Sequence, residues 1–451
     1  MEDETHIDAE VYGATTDESV LALGQTPRAS ASAHLNPPFP ETPAQLDLGL
    51  NFVADLALKT LSTDAACTTA SVSERMNLGL VITETVLQRL YHENLLEMKG
   101  SIALHNNRYA MLERGWARVF QSMSICSYVG PAPVTLKAYT RMIVQQMRCR
   151  TAVTRAALER TLSHLVLPGD VKRTLGVVLS SGRSLFLSGP PGNGKTAMAR
   201  ALVNGIAEPL WIPYAIEVDG QVIRVYDKNV HHAIEPQETD VDRRWVKIHP
   251  PLVVVGGELT IESLDLTATA SPRYYEAPFQ LKANGGVLLV DDFGRQRCSA
   301  RQLLNRWIIP LENRIDSLTL STGKKVDIPF EQIIVFATNL TDADLTDEAF
   351  MRRMGYRMTV TRPTWPIYAE IFRLTAAEFG LAVDDKSIER LVQRYKAEGR
   401  VPNACEPRDL ILRAVDFCHF EQQELALTDQ TLALAWEGYF GAPAAQPTLW
   451  K

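Results

Sequence analysis

Residues 181–203, SGRSLFLSGPPGNGKTAMARALV, constrain this chain more than any other stretch. An apolar run, Leu185-Phe186-Leu187, breaks into Gly189-Pro190-Pro191-Gly192-Asn193-Gly194-Lys195-Thr196 and continues from Ala197 to Val203 as an alanine-rich helix. Strand, glycine loop and helix in that order make a Walker A phosphate cradle. The glycines let successive backbone N–H groups turn inward on a polyphosphate, and the helix N-terminus adds its positive end. Lys195 is placed to reach the outer phosphates, and Thr196 to ligate Mg²⁺. The flanking strand and helix separate this motif from a chance glycine loop.

Two further apolar runs end in polar residues. Gly285-Gly286-Val287-Leu288-Leu289-Val290-Asp291-Asp292-Phe293-Gly294 reads as a buried parallel strand that delivers carboxylates to its C-terminal edge, where α/β sheets place ligands. Asp291 is the Walker B candidate for Mg²⁺. The letters DFG suggest a kinase, but no HRD catalytic loop accompanies them. Ile333-Ile334-Val335-Phe336-Ala337-Thr338-Asn339 is a third strand, and its last residue is expected beside Asp291, where it could orient an attacking water.

The order GPPGNGKT, LLVDD, FATN, DEAFMRR and PRDL, spread over residues 170 to 440, resembles the AAA+ ATPases. The resemblance implies an α/β P-loop sheet with a C-terminal helical lid, binding ATP with Mg²⁺. It matches Asn339 to sensor 1, Arg353, with Arg352 as rival, to the arginine finger, and Arg408 to the sensor 2 arginine. Because such a finger acts on a neighbour's nucleotide, a homo-oligomeric ring, a hexamer, is implied. In the family a Glu usually follows the Walker B Asp, whereas this chain has Asp292. A carboxylate one methylene shorter moves the oxygen that polarises the water, which implies slow or partner-dependent turnover.

Lys195 and Asp291 are 96 positions apart, a long interval. Within it, Trp211 to Val218 and Gln221 to Tyr226 flank Asp219-Gly220, a strong hairpin signal. GGELTIESLDL and ANGGVLLVDD resemble, more locally, the bacterial enhancer-binding activators and magnesium-chelatase-like ATPases. Gly256 to Thr260, or Tyr274-Tyr275, are then either a pore loop or a folded insertion with core tyrosines. A helix carrying Arg295, Arg297, Arg301 and Arg306 is expected after Asp292, followed by a presensor hairpin with Lys324-Lys325 at its tip. His231-His232 lacks metal-ligand spacing and is expected at the surface.

Charge is unevenly distributed. The net charge is −7, and residues 1–48 hold nine acids against Arg28 alone, so the rest is close to neutral. Residues 1–43 are read as a disordered acidic tail. Residues 44–130 show three helical segments and two extended pieces, an order that resembles a winged helix. Thr83, Glu84, Gln88 and Arg89 are expected on the outward face of its third helix. That mixed set allows either protein docking or DNA contact. A helical connector (131–168), the large α/β subdomain (169–365), the lid (366–440) and a loose tail (441–451) complete the expected plan. The six cysteines form no CxxC pair and are expected reduced. Without a membrane-length apolar run or signal peptide, the chain is expected in the cytoplasm. The expected activity is ATP hydrolysis that remodels a macromolecular partner in a chaperone-like way. The alternatives are a DNA-associated regulator and an ATP-gated scaffold with little turnover.

Overall fold

A computed structural model describes residues 35–64, 67–235, 240–268, 274–340 and 352–441. At its centre five parallel strands lie in the order Tyr356–Thr359, Leu185–Ser188, Ile333–Thr338, Val287–Val290, Leu252–Val255. The three middle strands are buried along their whole length, as expected of a parallel sheet covered on both faces. Alternate residues serve opposite faces. Leu185, Leu187, Val287 and Leu289 pack with Leu175, Val178 and Leu202 of the helices Gly169–Ser181 and Lys195–Gly205. Phe186, Leu288 and Val290 pack with Leu303 and Trp307 of the helix Ala300–Asn313 on the other face. Arg295 and Arg297 lie before that helix, which corrects the expectation that it carries all four arginines.

The two outer strands are not legible in the sequence. Leu252–Val255 runs beside Val287–Val290, and the approach is so close that a Cβ at Gly286 would lie 2.0 Å from the Pro251 carbonyl oxygen. The hairpin of the insertion forms as Ala215–Val218 against Gln221–Arg224, with Asp219 and Gly220 both at positive φ. Its first arm is shorter than expected, because Leu210–Pro213 pairs instead with Trp245–Ile248. Tyr275 is buried, and its hydroxyl accepts from the Ser321 N–H at 2.8 Å, while Tyr274 packs edge-on against Tyr128. In the folded chain these tyrosines are packing residues. The presensor hairpin is Ile315–Thr319 with Lys325–Pro329, and Lys324 at its tip pairs with Asp219.

His231 is buried, which corrects its expected surface position. Its Nδ1 accepts from the Asp227 N–H at 3.0 Å, which leaves Nε2–H to donate to the Lys282 carbonyl at 2.9 Å. Burial holds its pKa below the ordinary histidine value, against the opposing pull of the Lys282 carbonyl and Asp227. A depressed folded-state pKa means that the neutral ring contributes stability above about pH 6.5 and that this contribution fades as pH falls. Thermal unfolding of His231→Gln should therefore show a protein ~1–2 kcal/mol less stable at pH 7.5, with a smaller further loss than wild type on going to pH 5.5.

Toward the N-terminus, Leu50–Ser62, Thr69–Met76 and Leu80–His92 are helices, and Leu96–Ala103 pairs with Asn106–Met111. A further helix, Glu113–Ile125, adds to the expected plan. Thr83 and Glu84 do not face outward; both are buried. Glu84 instead accepts hydrogen bonds from Thr69 Oγ1 (2.6 Å), Asn107 Nδ2 (2.6 Å), Tyr109 OH (2.8 Å) and Gln88 Nε2 (3.0 Å). Arg89 is tied to Glu93 at 2.8 Å and to Asn51 at 2.8 Å. The exposed positions of this helix are Val81, Thr85, Gln88, Tyr91 and His92.

At the other end, helices Trp365–Glu378, Asp385–Ala397, Glu406–Phe420 and Asp429–Phe440 surround Tyr368, Tyr395 and Trp436. No helix among the described residues is long and apolar enough to cross a membrane. All six cysteines are free. Residues 1–34 and 442–451 of the expected tails (1–43 and 441–451), and the Asp347–Met351 part of DEAFMRR, fall outside the described residues. The expectation of a disordered tail is corrected at residues 35–43, where Pro38 bridges Val241 and the Pro37 carbonyl accepts from the Asp242 N–H at 3.0 Å.

Candidate nucleotide-binding site

The glycine loop bends between the strand Leu185–Ser188 and the helix Lys195–Gly205 through positive φ at Gly189, Gly192 and Gly194. At Gly189 a side chain is also sterically barred, since a Cβ would lie 2.1 Å from the Val360 carbonyl oxygen. Lys195 is 7% exposed, and its Nζ donates to the Gly189 carbonyl (2.7 Å), the Pro190 carbonyl (3.0 Å) and Asn339 Oδ1 (2.6 Å). Burial lowers its pKa from the usual lysine value, while Asp291 and Asp292 nearby oppose that shift.

The strand ends bring the other groups to the same edge. Thr196 Oγ1 donates to Asp291 Oδ2 at 2.8 Å, and Asn339 Nδ2 lies 3.3 Å from Asp292 Oδ1. Asn339 thus joins Lys195 through its oxygen to Asp292 through its nitrogen. Asp292 sits at φ 47°, an αL position that aspartate tolerates better than most residues. Local bonds hold it there: Phe293 N–H donates to the Ala337 carbonyl at 2.7 Å, and Thr338 Oγ1 to the Phe293 carbonyl at 2.7 Å. Gln296, which sequence reasoning missed, donates Nε2 to the Asp291 carbonyl at 2.9 Å.

These groups open onto a cavity of ≈ 650 Å³. Pro191, Gly192, Asn193, Gly194, Lys195, Thr196, Ala197, Asp291, Asp292 and Asn339 line it, and Arg408 enters from the first turn of the helix Glu406–Phe420. Gly189 and Pro190, at the start of the loop, do not line the cavity; their carbonyls accept from Lys195. The remaining wall is largely apolar: Leu165, Val166 and Leu167 from the connector, Ile371 and Leu374 from the C-terminal helices. Nothing in the sequence marks these five, because apolar connector and helix residues look alike whether they cover a core or a ligand.

Arg352 and Arg353 do not line the cavity. Arg353 Nε instead donates to Glu312 Oε1 at 2.5 Å, at the end of the helix Ala300–Asn313. The hydroxyl of Thr196 and the carboxylate of Asp291 form an all-oxygen pair of the type that suits a hard divalent cation such as Mg²⁺. Among the described residues no cluster of three or more His, Cys, Asp or Glu could hold a metal by itself. A cation here would thus share its coordination with phosphates and water.

A parallel sheet with the phosphate loop on a central strand, carboxylates and Asn339 on the next two strand ends, and a helical C-terminal region closing the cavity decides the architecture. The chain has a P-loop α/β fold. A model of a domain of unknown function, DUF8689, matches residues 366–438, within the helices that follow the parallel sheet. No curated protein matches the sequence. Among solved structures, the RuvB Holliday junction branch migration motor from Thermotoga maritima is 14% identical, with 64% of this chain and 72% of that one covered and a TM-score of 0.34. NtrX from Brucella abortus in complex with ADP is 16% identical, with 68% and 63% covered and a TM-score of 0.39.

Proposed function

We propose that this protein is a Mg²⁺-dependent ATPase of the AAA+ type that works as a homo-oligomeric ring, a hexamer, to remodel a protein partner. The observation that carries the reading is the convergence of Lys195, Thr196, Asp291, Asp292 and Asn339 at one end of the cavity that Arg408 enters from the helices at 366–440. In this reading the loop amides and Lys195 bind the phosphates, and Thr196 with Asp291 holds Mg²⁺. Asp292 and Asn339 orient the water, Arg408 faces the transferred phosphoryl group, and Arg353 serves a neighbour's site. Residues 366–440 are the lid.

For residues 44–130, read as a winged helix, the third helix favours a protein partner over duplex DNA. Its exposed positions are uncharged or histidine, and Arg89 is held by Glu93 and Asn51. A helix seated in the major groove would present cations and hydrogen-bonding side chains to base edges and phosphates.

The test is steady-state ATP hydrolysis alongside sizing of the nucleotide-bound protein, for wild type, Arg353→Ala and Asp292→Glu. Wild type should assemble with ATP and turn it over. Arg353→Ala should bind nucleotide yet lose turnover by about 10³-fold, the scale of an arginine finger. Asp292→Glu should change kcat in either direction by more than its effect on binding. A protein that binds ATP as a monomer and does not hydrolyse it defeats the ring and leaves the gated scaffold.

A further inference from the structure

Asn193, inside the phosphate loop, is 5% exposed. Its Nδ2 lies 3.3 Å from the Pro190 carbonyl, 3.2 Å from the Pro191 carbonyl and 3.5 Å from Asn403 Oδ1, and its Oδ1 accepts from the Ala404 N–H at 3.1 Å. The Cys405 N–H donates to the Gly192 carbonyl at 2.8 Å. Three consecutive residues of the lid, 403 to 405, are therefore bonded to the loop that cradles the phosphates.

Behind them stands a buried carboxylate. Glu406 is 3% exposed, and Asn403 donates to it twice, N–H to Oε2 and Nδ2 to Oε1, both at 2.8 Å. Tyr395 OH donates to Oε2 at 2.8 Å, and Tyr368 OH to Tyr395 at 3.1 Å. Tyr395 packs edge-on against Trp436 with ring centroids 4.6 Å apart. A continuous chain of contacts thus runs from the phosphate loop into the lid core. A carboxylate buried among neutral donors is stable only while each bond is made, which makes such a network stiff.

We infer that Asn403 and Glu406 are positioning residues which latch the lid to the phosphate loop through Asn193, so that nucleotide occupancy and lid placement are energetically coupled. Arg408 and Asp409 of the cavity wall follow Glu406 on the same helix, so the latch also sets where they stand. Coupling of this kind is reciprocal: what tightens the lid on the loop also tightens nucleotide binding. The inference rests on the reading of the cavity as an ATP site.

The test exploits the direction of the hydrogen bonds with isosteric changes. In Glu406→Gln the new amide opposes the Asn403 amide, donor to donor. Rotating the Asn403 amide to compensate turns its nitrogen toward Asn193 Nδ2 and breaks the link. Asn403→Asp places a second carboxylate against Glu406. The double variant Asn403→Asp/Glu406→Gln reverses the bond: the carboxylate introduced at position 403 accepts from the amide introduced at position 406 and still accepts from Asn193.

ATP affinity is measured by calorimetry, and hydrogen exchange at 403–410 is followed with and without ATP. Each single variant should bind ATP about tenfold more weakly and lose ATP-dependent protection of 403–410, while the double variant should return to within about twofold of wild type. Single variants with wild-type affinity and protection overturn the latch. So does a loss that is equal with and without ATP and unrelieved in the double variant, the signature of a merely structural role. Wild type that fails to bind ATP removes the site reading itself, and the latch with it.

Discussion

Lys195→Ala is expected to reduce kcat/KM for ATP by at least about 10²-fold, with most of the loss already visible in nucleotide binding. In the folded chain Nζ makes three short contacts, to the Gly189 and Pro190 carbonyls and to Asn339 Oδ1, so the ammonium is held at the mouth of the loop before any ligand arrives. Truncation removes the charge that would meet the outer phosphates. It also leaves Asn339 without the contact that orients its oxygen, and Asn339 is the group that reaches Asp292. Loss of one side chain should therefore disturb both binding and the placement of the water. Titration with a fluorescent ATP analogue beside a turnover assay separates the two effects, and circular dichroism checks the fold. Undiminished nucleotide binding in this variant would show that the cavity is not a phosphate site.

Glu84→Leu should destabilise the N-terminal helices and hairpin by about 3 kcal/mol or more. Four donors from three separate elements meet on this carboxylate: Thr69, Gln88, Asn107 and Tyr109. Leucine is close in volume but accepts nothing, so the buried hydroxyls of Thr69 and Tyr109 lose this acceptor away from water. Burial, reinforced by Glu84, already raises the Tyr109 pKa above the ordinary phenol value, so the phenol stays protonated and keeps donating. Thermal unfolding followed by limited proteolysis locates the loss. Glu84→Gln, which preserves an acceptor oxygen, should cost less than half as much. If Glu84→Leu melted with wild type, the polar cluster would not be what holds the hairpin to the helices.

The parts of the fold that were legible in the sequence share one property: their chemistry is local. Leu185 to Leu187 followed by the glycine loop, Val287 to Val290 followed by two aspartates, and Ile333 to Thr338 followed by Asn339 each carry strand and functional group within ten residues. Asp219-Gly220 likewise specifies its turn, because both residues tolerate positive φ. Edge strands were harder to read. Leu252–Val255 is four apolar residues between a proline pair and a glycine pair, too short for periodicity to separate strand from loop.

Side-chain direction was less legible still. A polar residue on a helix reads as outward until a partner is known, and the partners of Glu84 lie 15 to 25 positions away apart from Gln88. His231 reads as surface until Lys282, 51 positions on, supplies its acceptor. Arg353 was singled out by motif order, but its bond to Glu312 across 41 positions emerges only when two helical regions and the sheet pack together.

By itself the sequence determined that this chain builds a phosphate loop on a parallel sheet and carries two aspartates and an asparagine on neighbouring strand ends, because strand, turn and functional residue are contiguous. Only the tertiary structure decided which residues complete the cavity, which polar groups are buried, and that the loop is bonded to the helical C-terminal region through Asn193 and Ala404, 211 positions apart. The physical reason is that a hydrogen bond or an apolar wall is specified by proximity in space, and folding creates that proximity between segments whose own sequences carry no sign of one another.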